Sequence, residues 1–449
     1  MTRTAVDRGL ERRLGVLSLS ALVVGEVIAV GIFLTPAGMA RSLGSPMWVL
    51  IVWLVMGAMA LSGALCYGEL AARFPEAGGG YVYLRRAYGP LIAFLYGWKC
   101  LLVMDPGITA VLAVGLASYV GYSVDLSPAG IQAVAITVIL ALAAVNALGL
   151  RLGAGMIRWL TAFKLAALAT IVLLAIVLRR GDASNFLPFI AQRPGSDPLP
   201  LGLAAGLVGA FFAFGGWWEV SKLAGEARDP GRTVPRALAI GVAVVTAAYI
   251  ATSAAFIYLI PLEGVTSGET FAAQAGEALF GSAGGHVFAT IVVVSVLGSV
   301  AALLMALPRV YYAMARDGVF FRPIAAVHPR FRTPARAIAL QAVLSSMFVM
   351  AGTFDEILGY FIFVTVFFLG LTAEAVFVLR RRDGAAPFQT PGYPVTPLIF
   401  LLLVAIMLAL LGGSRPVQAA LGTGVVALGV PVYYLLFRAH LKSERMSPP

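Results

Sequence analysis

Gly25-Glu26-Val27-Ile28-Ala29-Val30-Gly31-Ile32-Phe33 places two glycines and a carboxylate in the middle of an apolar run from about 14 to 40, with Pro36 and Gly38 just beyond. Each glycine weakens a continuous helix by about 1 kcal/mol, so the run reads as a helix broken at bilayer depth. Phe211-Phe212-Ala213-Phe214-Gly215-Gly216-Trp217-Trp218-Glu219 interrupts a second run in the same way. Glycines also let membrane helices pack closely, which is the competing reading of either stretch alone. Two interruptions at matching places in two halves of a chain favour a transporter site. Unwinding frees N–H groups that hold a carboxylate and carbonyls that hold an ammonium, the two groups of an α-amino acid.

The composition requires lipid around these runs. Of 449 residues, 60% are hydrophobic and 12% are charged, and the mean hydropathy is +0.92. Soluble domains carry about a quarter charged residues. Runs able to cross about 30 Å of hydrocarbon lie near 14–40, 47–72, 91–120, 129–149, 156–178, 201–223, 236–260, 286–314, 334–352, 355–379, 395–413 and 418–437. They lack the alternation of barrel strands, so the expected fold is all-α, with twelve transmembrane helices in one membrane transport domain over 1–449. The first run exceeds a signal-peptide core, so no cleavable leader is expected.

The positive charges set an orientation. Of the 32 Lys and Arg residues, 25 fall on the side that carries both termini, five on the other, and Lys99 and Lys164 within runs. That bias places both termini in the cytoplasm. The net charge of +11 is therefore a topology signal in short loops, and no nucleic-acid partner is expected. The outer segment 261–285 carries Glu263, Glu269 and Glu277 and no Lys or Arg; it reads either as a gate segment or as a solvated loop.

Further stretches carry a family resemblance: GELAARFPEAGGGYVYLRRAYGP at 68–90, LAGEARDPGRTVPRAL at 223–238 and RVYYAMARDG at 309–318. With the Gly-x-x-Ile-x-x-Gly-Ile-Phe stretch and FFAFGGWWE at 211–219, they make the chain resemble the amino acid–polyamine–organocation superfamily, in particular its bacterial L-amino-acid transporter branch. The resemblance covers nearly the whole chain. It implies a five-plus-five inverted repeat (about 14–178 and 201–379) with broken first and sixth helices, two extra helices (about 395–437), and alternating access. It maps the substrate carboxylate onto the backbone of Ala29, Val30 and Gly31 and the amine onto the carbonyls of Phe212, Ala213 and Gly215, with Phe212 also closing over the substrate as a gate. Where the family commonly shows Gly-Ser-Gly, this chain has Ala29-Val30-Gly31, so the helpful hydroxyl is absent.

Ionisable residues inside a membrane are functional candidates by default. Glu26 lies about one turn before the break, where family members have a small polar residue facing the substrate. It can attract a cationic group, carry a coupling proton, or cap freed N–H groups. Lys164, flanked by Phe163 and Leu165, matches a lysine that the resembling branch places where sodium-coupled relatives bind an ion. The resemblance implies that its ammonium bridges the first helix to eighth-helix carbonyls or to hydroxyls such as Ser295 and Ser299, giving sodium-independent transport and leaving proton coupling open. Lys99 and Asp105 do not share a helix face, and each is expected to meet a partner on another helix or to reach a polar cavity, with structural pairing favoured. Glu219 and Glu374 approach the inner ends of their runs and read as solvated or loop-paired. Trp217 and Trp218 either line a cavity or pack.

The function expected is a secondary active transporter of amino acids in the cytoplasmic (inner) membrane, either a sodium-independent exchanger or a proton-coupled symporter. An alternative is a polyamine or other organic-amine carrier, and a weaker one is a non-transporting membrane sensor, for which the short terminal segments leave no signalling domain. His286, His328 and His440 are isolated, and no phosphate-cradling motif exists; an enzyme, a metal site, a cofactor and a primary pump are not expected. Eukaryotic members of the resembling branch bond a glycoprotein subunit through a cysteine outside helices 3 and 4. Here that loop, Gly121 to Pro128, has none, and Cys66 and Cys100 fall inside runs, so no disulfide-linked partner is expected.

Overall fold

Prolines punctuate the helices: Pro46, Pro90, Pro128, Pro230 and Pro308 each sit in the first turn of one, where a missing N–H breaks no bond. The structure, a computed structural model, describes residues 12–29, 31–149, 152–264, 271–351, 354–414 and 416–437. Val30 and Glu269 lie outside the described residues. In chain order the helices begin α1 (Val16–Val27), α2 (Gly31–Leu43), α3 (Pro46–Arg73), α4 (Gly80–Tyr88), α5 (Pro90–Lys99) and α6 (Asp105–Val124). Next come α7 (Pro128–Ala147), α8 (Leu152–Val177), α9 (Leu199–Ala213), α10 (Pro230–Leu259), α11 (Phe271–Phe280) and α12 (Ser282–Ala306). The series closes with α13 (Pro308–Arg316), α14 (Ala335–Ala351), α15 (Phe354–Asp383), α16 (Val395–Ser414) and α17 (Pro416–Val432).

Nine stretches among the described residues are long and apolar enough to cross a membrane. Each falls on one of the expected runs. The runs at 14–40, 201–223 and 334–352 hold shorter apolar helices instead, Val16–Val27, Leu199–Ala213 and Ala335–Met350. Both expected breaks are present. The first run divides between Val27 and Gly31 into α1 and α2. The sixth ends its helix at Ala213, turns through 214–218 and continues as a 3-10 segment, Glu219–Glu226.

A third interruption was not anticipated: a π-helical stretch, Cys100–Met104, joins α5 to α6. Pro106 in the first turn of α6 explains it. Its ring lacks an N–H and clashes with the carbonyl four residues back, and one widened turn absorbs the conflict.

The broken helices are central. α2 packs against α9, while α1 packs against α8, α10 and α12. Large side chains such as Trp159, Leu17 and Leu435 point outward, the apolar surface that lipid covers. The segment after α10 is more than a solvated loop. It contains α11, packed on α12 and α2, and Glu263 pairs with Arg193 at 2.5 Å.

Candidate substrate site at the two broken helices

The two breaks meet in backbone contact. A Cβ on Gly31 would lie 2.6 Å from the Cα of Ala213, so only glycine permits this approach. The close-packing reading of this glycine therefore holds at Gly31. Gly216 has φ +109°, and a Cβ there would lie 3.4 Å from the Cβ of Glu26; the second break is seated on the residue before the first.

Breaking a helix frees backbone groups that must find partners. The Tyr249 hydroxyl of α10 lies 2.8 Å from the carbonyl oxygens of both Val27 and Ala213. The Phe212 carbonyl accepts from the Gly215 amide at 3.0 Å, and the Ala29 amide donates to the Val27 carbonyl at 2.7 Å. Ala29 therefore spends locally the donor that the resemblance assigned to a carboxylate. The Phe212 carbonyl also accepts from the Phe214 amide, while the Ala213 carbonyl has the Tyr249 hydroxyl beside it and keeps one lone pair among the described residues.

Lys164 closes the other side of the first break. Its ammonium donates to the carbonyls of Gly25 at 2.7 Å and Ile28 at 2.8 Å, and to Ser299 Oγ at 2.5 Å. Ser299 in turn donates to the Gly25 carbonyl at 2.7 Å. Three donors and three acceptors leave the ammonium saturated. Ser299 thus lies in contact with Lys164, whereas Ser295 is not brought to it. It is buried one helical turn away, with its hydroxyl unpaired among the described residues, because no donor of Lys164 remains for it.

Beside the breaks lies a small buried cavity. It is lined by Phe212, Gly215, Gly216, Trp218 and Glu219 of the second break and by Met104, Ile108, Leu303, Leu307, Ile362 and Thr365. Trp218 lines it, while Trp217 packs edge-on against Tyr67 and Phe400. A larger cavity of about 410 Å³, lined by Glu76, Tyr312, Arg316 and Asp317 among others, lies away from the breaks. Candidate chemistry belongs to the smaller one, where freed backbone and buried charge coincide.

That buried charge departs from expectation in three places. Glu219 is not solvated: it is 1% exposed, lines the cavity and pairs with Lys222. The turn at 214–218 and the 3-10 segment replace a continuing helix, so the residue stays in the interior. Lys222, one of the 25 positive charges counted on the side of the termini, is 0% exposed and also lies 3.8 Å from Asp105 Oδ1. Lys99 meets no carboxylate within ion-pair distance among the described residues. Its ammonium donates to Met104 Sδ at 2.7 Å and lies 4.8 and 5.8 Å from the rings of Tyr96 and Phe368. Asp105 does pair across helices, accepting from the Tyr311 hydroxyl at 2.7 Å. Glu26 is buried, and neither of its carboxylate oxygens is hydrogen-bonded among the described residues.

Tyr249, Tyr311 and Lys222 were not singled out in the sequence. The first two had a signal, a tyrosine in or at the end of an apolar run. Lys222 had a better one, its i,i+3 spacing from Glu219.

At the end carrying the N-terminal segment, Leu14 and Ala227 form a parallel bridge, and the amides of Arg13 and Leu14 both donate to the Glu226 carbonyl at 2.9 Å. Arg309 pairs with the Glu226 carboxylate at 3.2 Å.

Comparison with known proteins adds an independent line. The amino acid permease family model matches residues 14–437. The chain is 30% identical over 442 residues to the serine/threonine exchanger SteT of Bacillus subtilis (strain 168), covering 95% of this chain and 97% of that one. It is 30% identical over 442 residues to the human cystine/glutamate transporter, covering 95% and 85%. It is also 30% identical over 432 residues to the human large neutral amino acids transporter small subunit 2, covering 95% and 80%. These matches run nearly end to end, so both breaks and the loops between them fall inside the shared region.

Proposed function

The chain belongs to the amino acid permease family, a family of transporters rather than enzymes, and on that premise we propose that it is a secondary active transporter moving amino acids across the cytoplasmic membrane by alternating access. The relatives named above, an exchanger of serine and threonine, a cystine/glutamate transporter and a carrier of large neutral amino acids, support amino acids as the cargo class. The observation that carries the reading is the junction itself: two helices broken at matching places, in contact at Gly31 and Ala213, beside a buried cavity.

In this reading the chain crosses the membrane twelve times, as a five-plus-five inverted repeat with two further helices and both termini in the cytoplasm. The amide of Gly31 and the backbone at Val30 take the substrate carboxylate. The carbonyls of Phe212, Ala213 and Gly215, with Glu26, take the ammonium, and Phe212 is the gate. Lys164 with Ser299 stands in for a sodium ion, which makes transport sodium-independent, by exchange or by proton symport. No disulfide-linked subunit belongs to the reading, since Cys66 and Cys100 are both buried free thiols.

A second reading, an organic-amine carrier, is favoured by the two Glu26 oxygens, which have no hydrogen-bond partner among the described residues. Both readings are tested by uptake into proteoliposomes of labelled serine, leucine, glutamate, lysine and putrescine, with and without sodium, a pH gradient or internal substrate. Amino-acid uptake driven by internal amino acid or by protons is the expected result. Uptake that requires sodium would overturn the role given to Lys164, and putrescine as the preferred cargo would replace the first reading with the second.

A further inference from the structure

Among the described residues, six ionisable side chains are buried around the breaks: Glu26, Asp105 and Glu219 on one hand, Lys99, Lys164 and Lys222 on the other, none more than 2% exposed. Their formal charges cancel. The other buried charges close as pairs elsewhere, Glu69 with Arg380, Arg309 with Glu226 and Arg193 with Glu263. An uncompensated charge is costly in a dry interior. Cargo that itself carries no net charge therefore preserves the balance. A lysine or a diamine would leave positive charge over, and a glutamate one negative charge.

Lys222 is where this balance meets the cavity. Glu219 lines the cavity wall, and the Lys222 ammonium pairs with its carboxylate. Asp105 faces the same ammonium at 3.8 Å, while the second oxygen of Asp105 takes the Tyr311 hydroxyl at 2.7 Å. The backbone of Lys222 is fixed as well, its carbonyl accepting from the Gly78 amide at 3.2 Å. Gly78 and Gly79, at φ +125° and +54°, give the chain the conformation that brings this loop alongside, and a Cβ on Gly79 would lie 2.9 Å from Lys222 Cγ. The ammonium is thus held in place by carboxylates from two helices and by a packed loop.

We propose that Lys222 is a specificity-determining residue: by neutralising Glu219 at the cavity wall, anchored by Asp105, it restricts the cargo to amino acids of zero net charge. The inference rests on the amino-acid transport reading and decides against the amine carrier. Lys222 acts through Glu219 and is a positioning residue.

The test is the ratio of labelled lysine, serine and glutamate taken up by, and bound to, the purified full-length protein in liposomes. The wild type takes serine over both charged amino acids. Lys222→Met leaves a carboxylate unbalanced and raises the lysine-to-serine ratio about tenfold or more; Glu219→Gln leaves an ammonium unbalanced and raises the glutamate-to-serine ratio by a similar factor, since one buried charge is worth at least that much. The double variant Lys222→Met/Glu219→Gln returns to the wild-type ratios. A purely structural role would lower all uptake without moving the ratios in opposite senses. If Lys222→Met does not fold, Glu219→Gln alone decides. Wild-type ratios in the single variants, or a wild type that takes lysine as readily as serine, would overturn the proposal. Charge-selective binding without uptake would sink the transport reading and leave this one standing.

Discussion

Tyr249 shows how much one hydroxyl does in a membrane interior. Val27 and Ala213 lose helical partners for their carbonyls where α1 and α9 end, and the Tyr249 oxygen lies 2.8 Å from each. Tyr249→Phe removes the single O–H donor that the two carbonyls share, at a cost of about 1–3 kcal/mol. The expected result is a melting temperature lower by several degrees in detergent and weaker substrate binding, read by fluorescence-monitored unfolding with and without serine. Lys164 is under a stricter demand, because its three donors match three acceptors in space. Lys164→Met should reduce maximal uptake at least about tenfold, as loss of a buried, fully bonded charge does. Lys164→Arg should not rescue it, since a planar guanidinium cannot reproduce a tripod of donors. Full activity in Lys164→Arg would remove the geometric argument.

At the scale of elements, the decisive fact is the contact between α2 and the end of α9. Gly31→Ala would place a methyl group 2.6 Å from the Ala213 Cα, and backbone cannot yield as a flexible side chain does. The variant should insert and purify but lose uptake by more than about tenfold, the consequence of overpacking a fitted junction. Ala213→Gly with Gly31→Ala should recover part of that loss, because the 3.0 Å contact with the Ala213 Cβ disappears; no recovery would mean that Gly31 matters for its backbone freedom alone. Both breaks were legible because glycine pairs inside apolar runs have a local meaning. The π-helical turn at Cys100–Met104 was legible only in retrospect, from Pro106. Twelve apolar runs were counted directly from the sequence, and nine of them hold helices long and apolar enough to cross among the described residues.

At the scale of the molecule, alternating access requires that one end open while the other closes. Here Leu14, the segment around Glu226 and Arg309 of α13 are tied together, next to the larger cavity lined by Ala77, Ala313 and Asp317. The two native cysteines are buried, so a cysteine placed at Ala313 reports access to that cavity. In Ala313→Cys, a membrane-impermeant thiol reagent should label from the cytoplasmic face only. Adding Arg309→Ala should raise the labelling rate several-fold, since it releases one side of the Glu226 hub. Labelling from the outside would invert the orientation derived from the positive charges.

The sequence by itself determined the solvent, the helical class, the broken helices and the family resemblance, because each rests on composition or on neighbours along the chain. It also placed Lys164 against the first helix, through a resemblance specific enough to carry one residue. Only the tertiary structure decided which buried charges meet. Glu219 was read as solvated or loop-paired and Lys222 was counted among the charges of the cytoplasmic side, because a continuing helix would have carried both toward the surface. The turn after Phe214 keeps them inside, where Asp105, from a distant stretch of chain, faces the ammonium. Charge pairing at bilayer depth is a property of packed helices, and linear distance along the chain does not encode it.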